Sequence, residues 1–213
     1  MNWFTSDLHL NHDNIRGYCN RPFSSTEEMN EGIIGRWNER VSTGDTVYVV
    51  GDVFLGKPEN ASSLVKRLKG NKILILGNHD RSRKTMIETG FEEVWQRKNL
   101  TLSDGRRALL NHKPLPDSVI THFDVQIHGH RHAGPIISGK KVNVCVDLWD
   151  YRPIPESEIV NLTLGEPRPD HVSVEISETL VKVTASVRKD DYEGLIDHLQ
   201  SYTRRIWDNN NDI

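Results

Sequence analysis

The chain has 213 residues, 36% of them hydrophobic and 27% charged, and a formal net charge of −3. That length suits one well-packed domain, or one domain with a small appendage, and the charge excludes a basic footprint for non-specific nucleic-acid binding. Two cysteines make no disulfide framework, no apolar run approaches the ~20 residues of a membrane-spanning helix, and MNWFTSDLHL lacks the basic and apolar regions of a signal peptide; the expectation is a cytoplasmic protein.

In chain order, NWFTSD (2–7) is a short apolar run that ends in Asp7, with His9 two residues on. A loop, NHDNIRGYCNRPF (11–23), follows it. SSTEEMNEGIIGRWNERV (24–41) places capping Ser and Thr before Glu and spaces Ile33, Ile34 and Trp37 for one helical face. DTVYVVGD (45–52) reads as a strand covered on both faces and ends in Gly51-Asp52. NASSLVKRLKGN (60–71) reads as a short helix stopped by Gly70. KILILGNHD (72–80) is a buried strand that delivers Asn78, His79 and Asp80, and RSRKTMIETG (81–90) is a helix closed by Gly90. RRALLNHK (106–113) is a strand ending in His112. DVQIHGHRH (124–132) is a strand running into His128, His130 and His132, and KKVNVCVD (140–147) is a strand ending near Asp147.

Five of these runs therefore end in Asp7/His9, Asp52, Asn78/His79, His112 and His130/His132. Single Asp or His residues after strands are ordinary caps and turns. The repetition is not, because in sheets flanked by helices the carboxyl ends of the strands collect on one edge, where ligands bind. The pattern points to a metal site assembled from distant parts of the chain.

The ordered blocks SDLH (6–9), GD (51–52), GNHD (77–80), NH (111–112) and GHRH (129–132) resemble those of the calcineurin-like metallophosphoesterases. RPF (21–23) and VDLWDYRPI (146–154) are similar to the small stand-alone bacterial and phage members. The resemblance spans roughly residues 1 to 163. It implies an α/β fold, a four-layer αββα sandwich of two mixed sheets flanked by helices, with a dinuclear metal site at the strand carboxyl ends. Two features depart from the family: Asn111 stands where a small residue is frequent, and no Asp-Arg-Gly follows GD, which argues against the protein phosphatase branch.

By the same resemblance, Asp7, His9 and His132 hold one divalent ion, Asn78, His112 and His130 hold a second, and Asp52 bridges them. Such donors suit Mn²⁺ first, with Fe, Zn or Ni as alternatives. Two such ions roughly 3.5–4 Å apart acidify a bound water and offset charge on the phosphoryl oxygens. His79 is implied as the residue that contacts the phosphate and protonates the leaving oxygen, a role suited to imidazole. For Asp80, orienting His79 and bonding loop amides both remain open. His12, Asn14, Arg16 and Arg21 lie in the loop after the first strand, placed to grip substrate. His128, two residues before His130, would face the same side of an extended strand as a supporting or substrate contact.

Residues 1–164 are thus expected to form the catalytic domain. After the GEPRPD linker (165–170), residues 171–187 alternate as a β-hairpin turning near Ser177-Glu178, and residues 190–207 place Leu195, Ile196, Leu199, Tyr202 and Ile206 on one helical face. This extension either docks on the catalytic domain or makes a subunit contact in a homo-oligomer. The functional expectation is a two-metal phosphodiesterase for small nucleotide phosphodiesters, 2′,3′-cyclic nucleotides being the first candidates. The alternatives are a DNA or RNA nuclease on the same fold and a non-catalytic scaffold. No membrane partner is expected.

Overall fold

The computed structural model describes residues 1–163 and the backbone of residues 172–177 and 180–185. The chain divides into two compact units, Met1–Leu164 and Gly165–Ile213.

In the first unit, the strand β1 (Asn2–Thr5) leads through a short helix α1 (Asp13–Tyr18) into the long helix α2 (Thr26–Arg40). There follow β2 (Thr46–Val49), α3 (Pro58–Val65), β3 (Asn71–Ile75), α4 (Arg83–Thr89), β4 (Glu93–Trp95) and β5 (Lys98–Thr101). The unit continues with β6 (Arg107–Leu110), β7 (Val125–His128), β8 (Ile137–Ser138) and β9 (Lys141–Asn143), then a 3₁₀ turn over Val146–Leu148. It closes with β10 (Ile154–Pro155) and α5 (Glu156–Thr163). The second unit contains the antiparallel pair β11 (Val172–Ser177) and β12 (Leu180–Ala185), with Ser177 opposite Leu180. The expected helix over 190–207 lies outside the described residues.

Local chemistry explains the long elements. Ser25 caps α2 by accepting the N–H of Glu28, relieving one of the unpaired amides of the first turn. Gly90 ends α4 with φ of 125°, a conformation that costs a side-chain-bearing residue steric strain. α3 departs from the sequence reading: Pro58 starts it at its first turn and it ends at Val65, because a proline at that position sacrifices no hydrogen bond. Gly70, at φ of 87°, turns the chain into β3 instead of capping the helix. The loop after β1 also departs, since residues 13–18 wind into α1.

Both sheets are mixed. The first has the order β10-β1-β2-β3-β4, parallel except for β10, and the second has the order β5-β6-β7-β9-β8, with β6, β7 and β9 parallel. Alternation along the strands splits the apolar residues into two cores. Trp3, Val47, Val49 and Leu74 of the first sheet pack with Ile33, Ile34 and Trp37 of α2, Ala61 and Val65 of α3 and Met86 of α4. Phe4, Tyr48, Ile73 and Ile75 point the other way and meet Ala108, Leu110, Val125, Ile127 and Val142 of the second sheet. The two sheets thus pack face to face with helices on the outside of the first. The parallel strands β1, β2 and β3 of one sheet and β6, β7 and β9 of the other carry the polar motifs just past their carboxyl ends. Among the described residues no helix is long and apolar enough to cross a membrane.

Candidate metal centre

Past its last paired residue, β1 stays zipped to the continuation of β2: Asp7 N–H donates to Gly51 O (2.9 Å), His9 N–H to Asp52 O (3.1 Å) and Leu10 N–H to Val53 O (2.9 Å). These bonds hold Asp7, His9 and Asp52 at φ of 57°, 50° and 57°. His130 has φ of 68°. Left-handed backbone at four non-glycine residues is uncommon and costs of order 1–3 kcal/mol each; here it aims four side chains into one edge of the sandwich. Two glycines make room for the result. A Cβ at Gly77 would collide with the Asp52 carboxylate, and one at Gly129 with Ser6 Oγ and the Asp7 carboxylate.

Three groups of donors emerge among the described residues; one, Cys19, His132 and Asp147, shares His132 with the first of the two that hold the expected ligands. Asp7, His9 and His132 bring one donor atom each within 4.8 Å of one another, and so do Asp52, His112 and His130. Asp52 Oδ2 lies 3.3 Å from His112 Nε2 in its own group and 3.8 Å from His9 Nε2 in the other. His132 Nε2 lies 3.7 Å from Asp7 Oδ1. Asn78 is exposed in the turn after β3, next to Gly77, which packs against Asp52.

The far sides of these ligands are held. His112 Nδ1 is 2.8 Å from Val50 O, and since a carbonyl only accepts, that nitrogen bears the proton and Nε2 carries the lone pair. His132 Nδ1 is 2.7 Å from Asp147 Oδ2. Ser6 Oγ donates to Asp7 Oδ2 at 2.6 Å, and His130 N–H to the same oxygen at 2.9 Å. By contrast, His9 Nε2 and His112 Nε2 are buried and have no hydrogen-bond partner among the described residues. A buried polar atom without a partner costs free energy, and two such ring nitrogens facing a shared carboxylate are what two cations would satisfy. The donor set fits.

Electrostatics agree. Burial pushes the His9 imidazolium down to about 3, so the ring is neutral at pH 7 with its lone pair available. Burial alone would raise the Asp52 carboxyl, but the neighbouring His112 ring, with the backbone N–H of His79, brings it down to about 2. Burial raises Asp7. His112 is raised despite its burial, by the neighbouring Asp52 carboxylate and the nearby Asp7 charge.

The family model for calcineurin-like phosphoesterases matches residues 3–132, more than half of the chain. The chain belongs to that family. An uncharacterized protein of the archaeon Methanocaldococcus jannaschii is 38% identical over 170 residues, spanning 75% of this chain and 89% of that protein. The gene 66 protein of Mycobacterium phage D29 is 28% identical over 192 residues, spanning 75% of this chain and 95% of its own. A crystal structure of a protein of unknown function from Aquifex aeolicus has 28% identity and a TM-score of 0.64, covering 76% of this chain and 98% of that one.

As a calcineurin-like phosphoesterase the chain places the remaining residues as follows. His79 is exposed, its ring 5.6 Å from that of His9, while its N–H donates to Asp52 Oδ1 at 2.9 Å. His12 lies beside the first group, its Nδ1 3.2 Å from His9 Nδ1. Asn14 is exposed on α1. Arg16 is turned into its own loop, bonded to Asp13, Phe23 O and Ser24 O. Arg21 is buried, its donors engaged inside the protein, so the expectation of a substrate grip fails for it. His128 is buried with Nδ1 on Gly129 O and stands outside both groups. The left-handed turn at His130 ends the alternation that would have put the two histidines on one side. Asp80 bonds loop amides: Oδ2 accepts from Asp52 (2.9 Å) and Gly77 (2.8 Å), and Oδ1 from Val53 (2.9 Å). Sequence reasoning missed Asp147 as a site residue. Its signal was present, as a sixth strand run ending in an Asp.

Proposed function

We propose that the protein is a two-metal phosphodiesterase, with Asp7, His9 and His132 holding one ion, Asn78, His112 and His130 the other, and Asp52 shared between them. The observation that carries this is the position of Asp52 Oδ2 between His112 Nε2 (3.3 Å) and His9 Nε2 (3.8 Å), both of them buried and unpartnered among the described residues. Bound divalent cations supply an acidified water and charge compensation on the phosphoryl oxygens. The histidine and carboxylate donors favour Mn²⁺, Fe, Zn or Ni over a hard oxygen-seeking ion, with Mn²⁺ as the working choice.

The chain's own residues do the rest. His79 stands exposed beside His9, where its ring reaches the leaving oxygen of a bound ester and donates a proton to it, and its N–H steadies Asp52. His12 borders the same mouth. Asn78 adds an amide oxygen without adding charge to a centre that already holds two carboxylates.

The absence of Asp-Arg-Gly after GD supports diesters over phosphoproteins as substrates, and small nucleotide diesters, 2′,3′-cyclic nucleotides first, fit a chain without a basic stripe. The test is a substrate screen with Mn²⁺-loaded protein: bis-aryl phosphate, mono-aryl phosphate, cyclic nucleotides and single-stranded DNA. Faster cleavage of diesters than of monoesters is expected. Preference for a phosphorylated peptide over every diester overturns the assignment.

A further inference from the structure

We infer that Arg21 and Asp147 are the positioning pair of the first metal site, and that the second site stands without them. The inference rests on the ligand assignment proposed above.

Every N–H of the Arg21 guanidinium meets an acceptor. Nε and Nη2 form a fork on Asp147 (2.8 and 2.9 Å), Nη2 also reaches Asp7 O (2.8 Å), and Nη1 reaches Leu8 O (2.9 Å) and Met29 Sδ (3.5 Å). The side chain is fully buried. Its contacts divide into two jobs. The carbonyls of Asp7 and Leu8 belong to the turn whose ends, Asp7 and His9, sit in left-handed backbone. Such a turn persists only where its surroundings over-determine it. The Asp147 carboxylate, neutralised by the fork, holds His132 Nδ1 at 2.7 Å and so leaves Nε2 facing Asp7 Oδ1. One guanidinium thereby governs all three residues of the first site.

Asp147 is itself fixed to the same strand end. Val146 N–H donates to Ser6 O at 3.1 Å, and Ser6 and Cys145 form a parallel bridge between the two sheets. The Cys145 thiol adds a weak third donor to Asp147 Oδ2 at 3.3 Å. The second site is built differently. His112 rests on the neutral carbonyl of Val50, and Asp52 on the N–H of His79. Neither touches Arg21 or Asp147, and His130 meets the first site only through its backbone N–H on the Asp7 carboxylate.

Arg and Lys are not equivalent in such a place: a lysine keeps the charge but cannot span a carboxylate and two carbonyls. Full-length Arg21→Lys and Asp147→Asn proteins, stripped and titrated with Mn²⁺, therefore test the inference by metal count and by electron paramagnetic resonance. Wild type should take two ions and show a spin-coupled pair. Each variant should keep one ion at wild-type affinity and bind the other about 10- to 100-fold more weakly, giving the resolved hyperfine pattern of isolated Mn²⁺ at one equivalent. Circular dichroism of the metal-free variants checks folding; if Asp147→Asn fails there, Arg21→Lys decides alone. Unchanged binding of both ions, or equal weakening of both, overturns the inference. A wild-type protein that binds no ion overturns the ligand assignment instead.

Discussion

The Asp80 carboxylate accepts the backbone N–H of Asp52 at 2.9 Å, so the acid of one motif holds the acid of another in place. The same carboxylate takes the N–H groups of Gly77 and Val53, tying the turn after β3 to the turn after β2. Burial pushes Asp80 upward, and the three amides work against that.

Asp80→Ala is therefore expected to leave partly buried amides unpaired, at about 1–3 kcal/mol for an unsatisfied donor. It should also loosen Asp52. The measurement is the melting temperature of metal-free protein together with Mn²⁺ affinity. A fall in both is expected; unchanged affinity would show that Asp80 serves the fold and not the site.

His79 and Asn78 make different demands on one turn. His79→Ala should keep both ions and slow turnover by roughly 10² to 10⁴-fold on an alkyl or nucleoside ester. The loss should shrink on a nitrophenyl ester, whose leaving group is a weak base. Asn78→Ala should weaken metal binding and recover partly with added Mn²⁺. Loss of metal from His79→Ala would make His79 a ligand and end this division of roles.

Acid should unfold the metal-free protein early. Burial lowers His9 to about 3, and it also lowers His12, His128 and His130. A histidine whose folded value lies below its unfolded 6.5 binds fewer protons when folded, so stability falls as pH drops from about 6.5 toward about 3. His112 and the buried carboxyls of Asp7 and Asp80 are raised and act in the opposite sense, as three groups against four. Urea midpoints measured from pH 8 to 5 on chelated protein should decrease, and His9→Asn should flatten the slope. A midpoint that rises on acidification would contradict this reading.

All the proposed ligands lie within the Met1–Leu164 unit. A chain cut after residue 164 should accordingly still bind two Mn²⁺, and light scattering should report whether the extension carries a subunit contact. Loss of metal from a soluble, folded truncated chain would place the extension against the site.

The parallel strands and the capped helix α2 were legible because several residues of each repeat one apolar or capping pattern. The convergence of Asp7, Asp52, His112 and His130 was legible for a related reason: each lies within three residues of the end of an apolar run. Shorter elements left no such trace. The strand β10 is two residues long and α1 only six, too few for a period to declare itself. Arg21 misled because a guanidinium reads equally as a phosphate grip and as an internal clamp; only its pairing with Asp147, 126 residues away, separates the two. His128 misled for a local reason, since the alternation that linked it to His130 stops at a left-handed residue. Asp147 went unread because its partner His132 is reached across a turn between two strands and not along either.

The central claim is that Asp52 is shared between two ions. Protein stripped of metal and reconstituted with Mn²⁺ should hold two ions per chain by metal analysis, be inactive while chelated, and lose both activity and most of the bound metal when Asp52 is changed to alanine. Wild-type protein that stays fully active after exhaustive chelation would contradict the account.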